Sequence, residues 1–96
     1  MLTPETPLVA RNEVFVTGID GELVMLDVEN GMYFGVDGSG VRMWELLAEP
    51  ITPDAIGGRI ADEFDVAPEQ AREDALAFCV RLHDANLVTA PGTSGT

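Results

Sequence analysis

The sequence predicts an α+β domain in which three antiparallel strands are followed by three helices. Short β-branched and aromatic runs lie between residues 14 and 36, each closed by a glycine-containing turn. From Val41 onward the apolar residues switch to helical spacing. Prolines sit where two of the helices begin. With 96 residues there is room for one small core and not for a second.

Residues 1–12 contain Pro4 and Pro7, have no periodicity, and are expected to form a flexible N-terminal segment. The folded domain is expected over residues 13–89, with a Gly/Ser/Thr tail over residues 90–96 expected to be disordered. Val14-Phe15-Val16-Thr17, ending at Gly18, and the run Glu22 to Val28 read as a hairpin joined through Ile19-Asp20-Gly21. The second run is apolar on both faces, as in a central strand. Asn30-Gly31 predicts a two-residue type I′ turn, since both residues tolerate positive φ, and a third strand follows over Met32 to Val36.

Asp37 or Ser39 is expected to cap a first helix whose apolar face carries Val41, Met43, Trp44, Leu46 and Leu47 and which stops at Pro50. Thr52-Pro53 places a capping hydroxyl before a proline, opening a second helix on which Ile56, Ile60 and Phe64 recur every fourth residue. Gly57 and Gly58 weaken that helix by roughly 1 kcal/mol each relative to alanine, which leaves either close packing against a neighbour or an irregular helix. Pro68 opens a third helix that reaches about Ala85. Ala67 is a poor cap at its start, and Asn86 suits the left-handed position after its end, folding Leu87-Val88 back.

At about 100° per residue, Ala71, Ala75, Phe78 and Leu82 share one side of the third helix and form its predicted core face. Leu76 and Val80 point away from it, with Cys79 and His83 between the two sets. The helix thus carries more apolar surface than one core requires. This second stripe is covered either by the N-terminal arm or a dimer mate, or it forms the wall of a groove.

The charge balance is 17 acidic residues against five arginines, with no lysine, for a net charge of −12. A phosphate backbone needs a cationic patch, so nucleic acid is disfavoured as a partner. The 46% hydrophobic content argues against disorder despite the charge. A lone cysteine, Cys79, excludes an intramolecular disulfide, and the cytoplasm is the default location. No signal-like start and no stretch near the ~18 apolar residues of a membrane span are present, so no membrane is expected.

Chemistry-bearing patterns are sparse. Cys79 and His83 lie one helical turn apart, but no second Cys or His completes a metal site. Glu73-Asp74 diverge on a helix and read as a solvated face. Gly38 and Gly40 lack the Gly-Lys-Ser/Thr ending of a phosphate loop. No catalytic residues, metal or cofactor are expected, and the protein reads as a non-enzyme.

The stretch Gly31-Met-Tyr-Phe-Gly-Val-Asp-Gly-Ser-Gly-Val-Arg-Met-Trp-Glu-Leu-Leu resembles the strand, Leu-Asn-x-x-Gly turn and Ile-Trp-x-Leu-Leu helix of the PqqD-like family. Asp74-Ala-Leu-Ala-Phe-Cys-Val-Arg-Leu-His-Asp-Ala-Asn-Leu-Val is similar to that family's Asp-Val-x-x-Phe-Leu-x-x-Leu-x-x-x-Gly-Leu-Leu. The family comprises the peptide-recognition elements of ribosomally made peptide natural-product pathways. Three positions depart from its pattern: Val36-Asp37 stands for Leu-Asn, Ala75 for a larger aliphatic, and Asn86 for glycine. The resemblance implies a winged helix-turn-helix-like fold. It also implies that the leader segment of a precursor peptide binds as an extra strand on the third strand, with the last helix as the other wall. The partners it implies are that leader and a modifying enzyme or leader protease, in lasso-peptide maturation or a pyrroloquinoline quinone-type pathway.

Strand addition is also what an edge strand offers physically, since its unpaired N–H and C=O groups bind main chain while pockets select side chains. The expected peptide-binding residues are Met32, Tyr33, Phe34, Gly35 and Val36 on the strand, and Leu76, Cys79, Val80 and His83 on the helix. Alternation sets Met32, Phe34 and Val36 against Tyr33 and Gly35. Phe34 and Val36 are assigned inward with Tyr33 nearer the groove, although pairing with Leu76 and Val80 reverses this. Two other classes fit the element order: a winged-helix DNA-binding regulator, whose last helix carries Glu69, Glu73, Asp74 and Asp84 against Arg72 and Arg81, and a dimerising module using the same strand edge.

Overall fold

Asp20 and Gly21 both adopt left-handed backbone, with φ of 51° and 82°, and join two strands in direct register at Ile19 and Glu22. This is the two-residue hairpin turn that matches strand twist. The computed structural model describes residues 2–12 and 14–91. Its elements run β1 (Val9–Ala10), β2 (Val14–Ile19), β3 (Glu22–Asp27), β4 (Met32–Val36), α1 (Ser39–Leu46), α2 (Pro53–Phe64), α3 (Pro68–Asp84) and β5 (Val88–Thr89). The antiparallel sheet has the order β2-β3-β4, so three strands precede three helices as expected.

The second hairpin differs from expectation. Asn30-Gly31 is not a two-residue type I′ turn, because Asp27 pairs directly with Met32 and leaves a four-residue loop, in which Gly31 alone has positive φ. The cause is Asp27, only 1% exposed. Its carboxylate accepts from the Glu29 backbone N–H at 3.2 Å and from Asn30 Nδ2 at 2.6 Å, while its carbonyl accepts from Gly31 N–H at 2.8 Å. The Asn30 hydrogen bond leads in holding the Asp27 carboxyl below its usual range. A buried charge paired this way sets where β4 begins.

Cross-strand register sorts the sheet. Val16, Met25 and Phe34 are aligned on the inner face, where Met25 is fully buried and Val36 is buried two residues further along β4. Phe15, Leu26 and Tyr33 are aligned on the outer face, with Phe15 70% and Tyr33 77% exposed. Phe34 and Val36 therefore point inward, as assigned from the alternation.

The leading segment, expected to be flexible, is packed. Leu8 is fully buried and exchanges two backbone hydrogen bonds with Ile51, at 2.8 and 2.9 Å. Beyond it, β1 pairs antiparallel with β5, and Ala10 N–H donates to the Leu47 carbonyl at 2.8 Å. Of the tail expected to be disordered, residues 92–96 lie outside the described residues.

Neither Asp37 nor Ser39 caps α1: the cap position is Gly38, at φ 56°, and no side chain closes the helix start. On α2, Thr52 Oγ1 accepts from Ala55 N–H at 3.0 Å ahead of Pro53. The two glycines separate in role. A Cβ on Gly57 would lie 2.7 Å from Arg72 Cα, whereas one on Gly58 would meet nothing within 4 Å. Gly57 thus lets α2 and α3 approach closely. Ala67 supplies no side-chain cap to α3, and at the other end Asn86 is left-handed at φ 64°. Asn86 N–H bonds the His83 carbonyl at 3.0 Å and Leu87 N–H the Leu82 carbonyl at 2.9 Å, the paired bonds of a Schellman motif. Ala71, Ala75, Phe78 and Leu82 are all buried, as is Trp44 of α1.

Candidate functional site

β4 pairs with β3 along one edge, and among the described residues no strand occupies its other edge. A cleft opens between β4 and α3. Phe34, Gly35, Val36 and Asp37 line it from the strand side, Ser39, Gly40 and Met43 from the start of α1, and Asp74, Ala77, Phe78 and Arg81 from α3. Its floor is an aromatic pair. The rings of Phe34 and Phe78 meet edge to face, 6.4 Å between centroids and 69° between planes. The Arg81 guanidinium lies 5.8 Å from both centroids.

Local sequence explains how these groups converge. Gly40 sits where a Cβ would come within 3.4 Å of Val36 Cβ and 3.6 Å of the Phe78 ring, so its bare backbone brings the first turn of α1 close to both walls. Asp74, Ala77, Phe78 and Arg81 are spaced three or four apart and therefore share one flank of α3. Phe78 serves the core and the cleft together.

Of the residues expected from sequence, Phe34, Gly35 and Val36 line the cleft. Met32 and Tyr33 belong to the same strand but are exposed outside the lining. On α3 the cleft takes a different flank from the one expected. Cys79 is fully buried in the core, where burial pushes its thiol up to about 12. Leu76 is half-buried, Val80 is 38% exposed and His83 is exposed; none of the four lines the cleft. The apolar stripe does not mark this wall, which consists of a small residue, two charged residues and a ring shared with the core.

A second apolar concavity lies on the outer face of the sheet, formed by Phe15, Thr17, Val24, Leu26 and Tyr33 and reached by Val16 of the inner row where it sits between Phe15 and Thr17. It lies on the face of the sheet, so it offers side chains, while β2 at its margin is the sheet's other edge strand and has, among the described residues, no helix alongside to complete a cleft like that between β4 and α3. Among the described residues no group of three or more His, Cys, Asp or Glu side chains is placed to hold a metal ion. No described helix is long and apolar enough to cross a membrane.

The family model for coenzyme PQQ synthesis protein D (PqqD) matches residues 22–88. Among solved structures, TbiB1 in complex with the TbiA(beta) leader peptide is 31% identical, with 90% of this chain and 98% of that one covered and a TM-score of 0.75. Lasso peptide synthetase B1 complexed with the leader peptide is 21% identical, covering 85% of this chain and 96% of that one at a TM-score of 0.74. The PqqD truncation of Methylobacterium extorquens PqqCD, a stand-alone recognition element for ribosomally synthesised and post-translationally modified peptides, is 16% identical. It covers 93% and 95% of the two chains at a TM-score of 0.76. These last two likenesses concern the fold. No curated protein matches by sequence.

Proposed function

Because the chain belongs to the PqqD family, we propose that it is a leader-peptide-binding adaptor that takes the leader of a ribosomal precursor peptide as a fourth strand on β4. The observation that carries this is the pairing of β4 on one edge only, with the cleft to α3 alongside. The incoming main chain gains hydrogen bonds from the free edge, and its alternate side chains enter the cleft over Phe34 and Phe78. Along β4 the N–H and C=O groups turn alternately to β3 and to the open edge, so either Met32, Phe34 and Val36 or Tyr33 and Gly35 take part through their backbone.

The adaptor performs no chemistry of its own. It holds the leader and so raises the local concentration of the attached core peptide at a modifying enzyme or leader protease in the cytoplasm. The solved complex of the 31%-identical TbiB1 with a leader peptide supports this reading, and lasso-peptide maturation is the pathway class we favour, in keeping with the fold shared with lasso peptide synthetase B1. The lone cysteine, buried with its thiol pushed up to about 12, is unsuited to act as a nucleophile. DNA binding is disfavoured, because α3 carries four carboxylates and its Arg72 is already committed to Asp54 at 3.2 Å.

Hydrogen exchange with and without the TbiA(beta) leader tests the proposal. Binding should slow exchange at β4 amides and leave β2, the other edge strand, unchanged. Protection confined to β2, to the outer sheet face or to neither edge would overturn it.

A further inference from the structure

Charge is distributed unevenly over the five arginines. Four are held by carboxylates: Arg11 by Glu29 at 3.6 Å, Arg42 by Glu63 at 2.8 Å, Arg59 by Glu63 at 3.3 Å and Arg72 by Asp54 at 3.2 Å. The fifth, Arg81, has no ion pair among the described residues, in a chain with 17 acidic side chains. It is the one that lines the cleft. Its Cζ lies 5.8 Å from the centroids of both the Phe34 and the Phe78 ring, a cation–π attraction that leaves its N–H donors available.

We propose that Arg81 is a specificity-determining residue, selecting a leader that carries an Asp or Glu side chain beside the Phe34–Phe78 pair. This rests on the leader-binding reading and refines it. A planar guanidinium drawn to the rings, with no carboxylate partner of its own among the described residues, can take a carboxylate through two parallel hydrogen bonds. The remaining charges in the cleft sharpen the selection. Asp37 and Asp74 also line it, Asp74 lying seven residues and about 10 Å along the helix from Arg81. A leader acid near either of them meets like charge, so an acid is favoured at a single position. That acid marks the register of the added strand, which backbone pairing alone leaves free to slip by two residues.

The competing role for Arg81 is local, as a cation in the last turn of α3 that complements the helix dipole. Binding measurements separate the two. Fluorescein-labelled TbiA(beta) leader is substituted one position at a time with Glu, its neutral isostere Gln, or Lys, and affinities for the full chain are read by fluorescence polarisation. At one position Glu should bind about three- to tenfold more tightly than Gln, an advantage that shrinks with added salt. The advantage should vanish in Arg81→Gln, survive in part in Arg81→Lys, and pass to Lys in Arg81→Glu. A Glu-to-Gln ratio equal at every position, or unchanged in Arg81→Gln, with the leader still bound, overturns this inference and spares leader binding. Failure of every peptide to bind the folded chain overturns both.

Discussion

The two flanks of α3 invert the relation expected between an apolar stripe and the wall of a cleft. One flank carries Leu76, Val80 and His83, is apolar enough to suggest a groove wall, and does not line the cleft. The other carries Asp74, Ala77 and Arg81 beside Phe78, reads as ordinary solvated helix, and faces β4. The difference lies in what a strand-adding peptide requires. Most of its affinity comes from main-chain hydrogen bonds, so the facing helix must leave space and orient a few side chains. A small residue such as Ala77 provides that space.

The sharpest way to break this comparison is to obstruct one flank and recharge the other. Ala77→Trp should weaken the proposed leader docking by at least about thirtyfold, as expected for filling a pocket that docked side chains need. Leu76→Glu combined with Val80→Glu should change affinity less than about twofold. Fluorescence polarisation on both proteins decides the matter, and the opposite ranking would return the site to the apolar flank.

Which flank faces β4 depends on how α3 seats against α2, and that contact is set by Gly57. Gly57→Ala should destabilise the domain by about 1–3 kcal/mol in urea unfolding, because a methyl 2.7 Å from Arg72 Cα forces the helices apart. Gly58→Ala, one residue on, meets nothing and should stabilise by up to about 1 kcal/mol through helix propensity. Equal effects at the two positions would mean that helix approach does not control the seating.

The last prediction concerns the strand side of the cleft. The Asp27 carboxyl lies below its unfolded value near 3.8, so its charged form is favoured in the folded state. The stability it contributes is complete above that value and is lost as pH falls through it towards the lower folded value. Asp27→Asn should therefore flatten the acid side of the stability profile below about pH 4, measured by thermal melts across pH. An unaltered slope would assign the acid sensitivity to other carboxylates, with Glu63, lowered by Arg42, the next to test.

Local signals in the sequence found most of the fold. Thr52-Pro53 and Asn86 mark helix ends because their chemistry acts within a few residues, and the 3.6-residue period placed Phe78 and Leu82 inside. Readings failed where distant partners intervene. Asn30-Gly31 has the composition of a tight turn, yet the buried Asp27 draws Glu29 and Asn30 into a longer loop. The proline-bearing arm is secured by Ile51, Leu47 and Leu87, none of which is near it in sequence. Of the cleft, the strand wall was readable from alternation. The helix wall was not, since Ala77 and Arg81 bear no apolar mark.

The pairing of Val9 with Thr89 gives the fold an architectural property beyond its stability. Its incoming and outgoing chain are clasped side by side, and none of the clasp residues lines the cleft. Such a module can be grafted as a cassette into a host polypeptide, through one seam, while its docking groove stays open to traffic.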